Sequence, residues 1–397
     1  MATPIAASVR IAALAAAALL VAPTATSAAD STPIRIGVVT SFSGLTPNAG
    51  KELDGGIAAF LKHYGDTWSG RKVEIIKRDD GGPNAEVAKR MAQELVVQSN
   101  VDFLLGAAFT PTAIAIESVS TQAKKPFFIV NGATSNIMNN NPYTSRYGMT
   151  IAQIVQPMSK WAPQNGIKKA YILVADYAPG LESATQFKEG FTAAGGTIVG
   201  EVHVPMGNLD FSSYLQRVKD AKPDALYVFV PTGQMPIALM KGYADQNLAK
   251  DGIKVIGTGD FVTEDALNAE GDAVLGVVTS YHYSEAHPSK LNDEFVRDYT
   301  AATGANPRPN LMAAAAYDAM HAIYLAVQKT KGDTSPDKIM DALKGLSFES
   351  PRGPVTIDAS TRDIVQNIYL RRVEKKNGVL QNVEFQTFPM VKDPLEK

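Results

Sequence analysis

The feature that most constrains this chain is a hydrophobic period that keeps switching. Runs of consecutive apolar residues, as in a buried strand, alternate with runs whose apolar residues recur at helical spacing. Ile34–Thr40 reads as the first strand, and Ile57, Phe60, Leu61 and Tyr64 follow at i, i+3, i+4 and i+7. Val73–Ile76 predicts a second strand, and Val87, Met91 and Leu95 give the next helix face. Val101–Leu105, Thr112–Ala123 and Phe127–Val130 continue as strand, helix and strand. This rhythm builds a parallel sheet covered by helices, because a parallel crossover needs a long connection that is usually a helix.

The rhythm restarts after about residue 150. Strands are expected at Ala170–Val174, Thr197–Val204, Ala225–Val230 and Lys254–Ile256, with helices around Ser183–Ala194, Phe211–Ala221 and Pro236–Asp245. A third block predicts helices near Lys290–Thr303, Leu311–Thr330 and Pro336–Leu343. In the tail, Ile368–Val373 and Val379–Phe388 flank Lys376-Asn377-Gly378, and Asn-Gly between strand-like runs signals a hairpin. A chain of 397 residues is long for one core and comfortable for two. No flexible linker separates the two rhythms, so the domains are expected to share several short crossings. Ser145–Thr150, Gly276–Tyr283 and Phe348–Asp358 are the candidates. The expected fold is α/β, with two Rossmann-like lobes joined by three crossovers. Residues 30–147 plus 284–352 form one lobe, and 148–283 plus 353–397 form the other.

The first residues read as an export signal. Arg10 is the only charge before Asp30, the run Ile11–Ala22 is apolar, and Thr26-Ser27-Ala28-Ala29 offers small residues for cleavage. The apolar run is shorter than the ~20 residues of a spanning helix. Cleavage is expected near Ala28 or Ala29, with release into a periplasm.

Composition removes several function classes. Lys and Arg number 38 against 40 Asp and Glu, so no basic field points to nucleic acid. With no cysteine, disulfides, thiol catalysis, Cys-type zinc sites and a cysteine-borne lipid anchor are excluded. Gly44 to Lys51 imitates a phosphate loop, but five residues separate its glycines and Glu52 stands where Ser or Thr must follow the lysine. Gly257-Thr258-Gly259 lacks the third glycine of a dinucleotide turn. His63, His203, His282, His287 and His321 show no paired-ligand spacing, and there is no G-x-S-x-G elbow. No cofactor, metal or catalytic constellation is expected.

Several segments, in order, resemble the branched-chain amino-acid-binding branch of the type I periplasmic binding proteins. Ile36-Gly37-Val38-Val39 with Phe42-Ser43-Gly44 is similar to that family's first strand and turn. Asp79-Asp80, Gly106 through Thr110, and Asn131-Gly132-Ala133-Thr134 resemble its next three strand ends. Ala316-Tyr317-Asp318-Ala319, Gly353-Pro354-Val355 and Ile368 through Val373 resemble its late helix, last crossing and tail. The resemblance implies two lobes that close on a small solute and present it to the membrane permease of an ABC importer. A monomer is expected. The implied solute carries a carboxylate, with a branched-chain amino acid first and an aromatic or other organic acid as the alternative. A ligand sensor and a periplasmic enzyme of the same fold are competing roles.

Six residues are the candidate ligand contacts. Thr110-Pro111 opens a helix whose N-terminus carries about half a positive charge and free N–H groups, enough to dock a carboxylate without a cation. Gly132 and Thr134 follow a strand; glycine admits close approach and the hydroxyl both donates and accepts. For these positions the bland alternative is a plain helix cap. The resemblance implies that the Gly132–Thr134 loop offers a carbonyl and a hydroxyl to the ligand, and that Tyr177 covers it from the second lobe; interlobe packing is Tyr177's alternative. Asp260 is the candidate partner of a ligand ammonium, or else a turn residue, and Thr232 with Gly233 is expected at the cleft. Ala49 stands where amino-acid-binding relatives often carry a tyrosine, which argues for a different ligand. Arg146, at the first crossing, is expected to brace the hinge.

Overall fold

The computed structural model describes residues 1–3, 32–44, 46–304 and 306–395. The expected signal segment and its cleavage site fall in residues 4–31, outside the described residues. Two sheets organise the rest. The first has the strand order Thr67–Trp68, Arg71–Asp79, Ile34–Thr40, Phe103–Gly106, Phe127–Ile129, Thr144–Arg146, and all its pairings but the first are parallel. In the second, Thr197–Val204, Lys169–Ala175, Ala225–Phe229, Lys254–Thr258 and Val278–Tyr281 run parallel in that order. Ile364–Lys376, Gly353–Ile357, Ser347–Ser350 and Val379–Val391 extend it antiparallel.

Each parallel sheet reverses its winding once. In the first, the chain steps from Ile34–Thr40 to one side and then returns to Phe103–Gly106 on the other. In the second, it steps from Lys169–Ala175 to Thr197–Val204 and returns to Ala225–Phe229. A crevice opens beyond the carboxyl ends of the strands at such a switch. Gly106 makes the first crevice possible, because at φ 134° it brings the strand end so near that a Cβ would sit 2.1 Å from the Val39 carbonyl oxygen.

The chain visits each lobe twice. Helices Lys290–Thr303 and Leu311–Lys329 return to the first lobe and pack on Pro47–Tyr64. Gly56 permits that packing, since a Cβ there would meet the Ala313 carbonyl oxygen at 2.2 Å. Three expected crossings need adjustment. Thr144–Arg146 is a strand of the first sheet, so that crossing spans 147–150. Val278–Tyr281 is a strand of the second sheet, so the next crossing begins at His282. Ser347–Ser350 pairs with Gly353–Ile357 in the second sheet, which moves the expected boundary at 352 back to Leu346. We propose the remaining division into lobes as read from the sequence. A helix, Ile151–Gln164, also stands where no helix was named; Pro157 and Pro163 lie within it.

Buried arginines bind the crossings together. Arg146 donates from Nη1 to the Gly132 and Thr134 carbonyls, both at 2.9 Å, and pairs through Nη2 with Asp363 at 2.9 Å. Arg352 pairs with Asp318 of the Leu311–Lys329 helix at 2.7 Å and donates to the carbonyls of Tyr147 and Gly148 in the first crossing. Arg362 donates to the Thr144 and Asn141 carbonyls at 3.1 and 2.9 Å. The first crossing is thus hydrogen-bonded to the turns at 351–352 and 358–363 of the second sheet, with Arg146 at their meeting point.

Candidate functional site

The two switch-point crevices face each other across a narrow cavity, open in part to solvent. From the first lobe it is lined by Ala108, Phe109, Thr110, Asn131 and Ala133. From the second it is lined by Tyr177, Pro179, Phe229, Pro231, Thr232 and Asp260. Four of the six expected residues, Thr110, Tyr177, Thr232 and Asp260, therefore share one cavity. Each stands just beyond a strand's carboxyl end, as the switch-point rule requires.

Thr110 is the first residue of the helix Thr110–Ala123, and Phe109, not Thr110, occupies the N-cap. This corrects the capping assignment and frees the Thr110 hydroxyl for another partner. That partner is the hydroxyl of Thr134, 3.0 Å away, while the Thr134 N–H points to Thr110 Oγ1 at 3.4 Å. Both threonines are buried, and the first-turn N–H groups of a 14-residue helix stand beside them. The pair sets two hydroxyls beside a helix end; Thr110 lines the cavity, and Thr134 stands behind it without lining it. Thr134 precedes a short 3₁₀ turn, Ser135–Asn140, without a side-chain cap bond, so its hydroxyl is not consumed by capping.

Gly132 departs from expectation. It does not line the cavity, and its carbonyl is taken by Arg146. A Cβ at Gly132 would lie 2.6 Å from Ala113 Cβ, so the residue is small in order to pack the loop against the helix. The loop's contribution to the cavity comes from its neighbours. Asn131 donates from Nδ2 to the Ala108 carbonyl at 3.0 Å, leaving its buried Oδ1 without a partner.

The second-lobe wall is aromatic with one acid. Tyr177, at the N-cap of Ala178–Ala193, stacks on Phe229 with centroids 6.1 Å apart and planes at 30°. Burial and the adjacent Asp260 carboxylate push its phenol well above the ordinary tyrosine range. Asp260 is 4% exposed and follows the strand Lys254–Thr258. Tyr281 donates its hydroxyl to Asp260 Oδ1 at 3.0 Å, and Oδ2 makes no hydrogen bond within the protein. Burial pushes the Asp260 carboxyl up to about 6, against the easing effect of nearby hydroxyls and Arg371. The Arg371 guanidinium does not reach the cavity. It is committed to the Tyr283 carbonyl, to Thr279 Oγ1 at 3.3 Å and to the face of Tyr281.

No lining residue of the cavity is cationic. The walls offer a hydroxyl and helix-end seat on one side, an acid on the other and the rings of Phe109, Tyr177 and Phe229 between. Phe109, Asn131 and Phe229 were not anticipated. An aromatic residue at the end of an apolar strand reads as core, and only its place at the switch point could have shown otherwise. Ala49 is buried beside the cavity, among Thr46, Glu52 and Thr232. Ser135 of the first lobe reaches across to Glu182 of the second, donating its hydroxyl to Oε1 at 2.7 Å. Among the described residues no cluster of His, Asp and Glu is placed to hold a metal ion.

Comparison with known proteins agrees with this fold. Residues 33–378 match the family described as periplasmic binding protein. The Leu/Ile/Val-binding protein homolog 6 of Brucella melitensis biotype 1 is 38% identical over 378 residues, covering 95% of this chain and 97% of the relative. The crystal structure of an ABC transporter solute-binding protein from Rhodopseudomonas palustris BisB5, in complex with 3,4-dihydroxybenzoic acid, superposes with TM-score 0.88 and 47% identity over 92% of this chain and 99% of that one. A second solute-binding protein from R. palustris, in complex with 4-hydroxybenzoate, has TM-score 0.89 and 38% identity over 91% of this chain and 98% of that one.

Proposed function

This chain belongs to the periplasmic binding protein family, in its Leu/Ile/Val-binding-protein-like branch, and acts as the solute-binding component of an ABC transporter; from that premise we propose that its solute is an aromatic carboxylic acid of the benzoate type. Its role is binding, not turnover. The observation that carries the aromatic reading is the cavity itself. Its wall combines Thr110 at a helix start, the rings of Phe109, Tyr177 and Phe229, and no cation. A planar ring edged by Tyr177 and Phe229 buries apolar area and gains aromatic contact worth about 0.5–1.5 kcal/mol beyond that burial. The two R. palustris proteins, whose ligands are hydroxylated benzoates, lend support.

A branched-chain amino acid is the second reading, favoured by the buried carboxylate of Asp260 as an ammonium partner. The two are separated by thermal shift against benzoate, hydroxybenzoates, leucine, isoleucine and valine, since a ligand bound only by the native state raises apparent stability. Hydroxybenzoates are expected to raise the midpoint and the amino acids to leave it unmoved. Stabilisation by leucine with none by any benzoate would replace the aromatic reading with the amino-acid one.

Export belongs to the same proposal. The chain is delivered to the periplasm as a monomer after cleavage near Ala28 or Ala29, closes on its solute by hinge motion and docks to the transporter's membrane subunits. The mass of the periplasmic species checks the cleavage; a full-length, membrane-bound product would contradict it.

A further inference from the structure

We infer that Asp260 is the specificity-determining residue that selects ring-hydroxylated benzoates over benzoate, by accepting a hydrogen bond from the ring hydroxyl. The inference rests on the aromatic reading above and adds to it which acid is preferred and why. Its starting point is an unmet demand. Asp260 is almost wholly buried, lines the cavity and has one carboxylate oxygen without a partner, while the other is held by Tyr281. A buried acceptor left unpaired costs free energy, more so when it is charged. With its carboxyl at about 6, Asp260 is ionised at neutral pH and demands a donor.

The polarity of the cavity orients the ligand. A benzoate carboxylate is repelled by Asp260 and drawn to the opposite wall, where Thr110, Thr134 and the helix end offer donors. The far edge of the ring then faces the second lobe. A hydrogen atom at that edge leaves Asp260 Oδ2 unpaired in a space the ring has emptied of water. A hydroxyl there donates to it. Asn131 Oδ1 is the other unpartnered acceptor on the wall, but it is neutral and lies on the anion-binding side, so its demand is weaker. Sites that hydrogen-bond a ligand hydroxyl reject the analogue lacking it far more strongly than apolar sites reject a size change.

The test is calorimetric titration of wild type, Asp260→Asn and Asp260→Ala with benzoate, 3-hydroxybenzoate, 4-hydroxybenzoate and 4-methoxybenzoate. The asparagine variant keeps the side chain's shape, and melting curves confirm that each variant is folded. In wild type, at least one hydroxybenzoate is expected to bind about tenfold or more tighter than benzoate, as a charge-assisted hydrogen bond requires. The methyl ether, which cannot donate, gains nothing. In Asp260→Ala the ratio of hydroxybenzoate to benzoate affinity collapses toward one, and in Asp260→Asn it narrows. A wild-type ratio near one, or a ratio unchanged in both variants, overturns the role of Asp260 while leaving the aromatic reading intact. Failure of wild type to bind any of the four acids overturns both.

Discussion

Two buried aspartates stand at opposite ends of this molecule's economy of charge. Asp318 lies at the crossings and Asp260 at the cleft, and neither is more than 4% exposed. Asp318 accepts from Ser350 at 2.8 Å and pairs with the Arg352 guanidinium at 2.7 Å, both through Oδ2, while its Oδ1, like Oδ2 of Asp260, has no hydrogen bond. Asp260 is met only by neutral groups, the Tyr281 hydroxyl at 3.0 Å and the nearby Thr258 hydroxyl, and the nearest guanidinium is engaged elsewhere. Burial alone therefore distinguishes nothing, since both carboxyls are raised by it. The difference is in what the fold supplies. At the crossings the protein meets a buried charge with its own cation. At the cleft it supplies no cation, and on the reading proposed above the ligand supplies the missing donor.

The comparison is tested most severely at Arg352. Replacing it with methionine keeps much of the volume but strands Asp318 and strips donors from the Tyr147 and Gly148 carbonyls. Breaking a buried ion pair in this way costs about 3–5 kcal/mol. Urea denaturation without ligand measures it, and a loss no larger than a surface substitution gives would erase the distinction between the two regions.

An intermediate effect is expected from Thr134→Ala, and on binding more than on folding. The bond from Arg146 goes to the Thr134 carbonyl, which alanine keeps. Only the hydroxyl facing Thr110 is lost. Affinity for a hydroxybenzoate should fall by about 1.5–3 kcal/mol, the range for hydrogen bonds to a charged group. Calorimetry showing undiminished affinity would take the threonine pair out of the anion seat.

The last effect has the opposite sign. Asp260 has a folded-state value of about 6 against roughly 3.9 unfolded. Between those values the unfolded chain has released its proton while the folded chain keeps it, so wild-type stability falls as pH rises. Above about pH 6 the fall is complete. Asp260→Asn does not titrate in that window. Without ligand, a variant that matches wild type near pH 4 should exceed it by about 2–3 kcal/mol at pH 7.5, because the interval from roughly 3.9 to about 6 converts at about 1.4 kcal/mol per pH unit. Paired melts at the two pH values check this, and a variant gap independent of pH would mean that burial does not raise the Asp260 carboxyl in the folded protein.

These same residues show what was legible beforehand. Strand and helix periods placed both parallel sheets and their strand ends, which Thr110, Tyr177, Thr232 and Asp260 all follow, but not the strand order that makes two of them switch points. The hairpin at Asn377-Gly378 was equally plain, because both residues take the positive φ that a two-residue turn needs. Helix Ile151–Gln164 was hidden by its two prolines, although Thr150 and Gln153 form a capping box at its start. Strands of three to five residues, such as Thr144–Arg146 and Ser347–Ser350, are too short to show a period. The Arg352–Asp318 pair joins residues 34 apart, and no local pattern announces such a contact. Gly132 misled because a glycine after a strand suits either a ligand or a packed neighbour, and here the neighbour is Ala113.

The central claim is that the cleft holds an aromatic acid with its carboxylate on the first lobe and its ring edge on the second. A crystal structure of the complex with 4-hydroxybenzoate tests it most directly. The account predicts the carboxylate at Thr110 and Thr134, the ring beside Tyr177 and Phe229, and the hydroxyl at Asp260. A ligand bound outside this cavity, or one turned with its carboxylate toward Asp260, would contradict it.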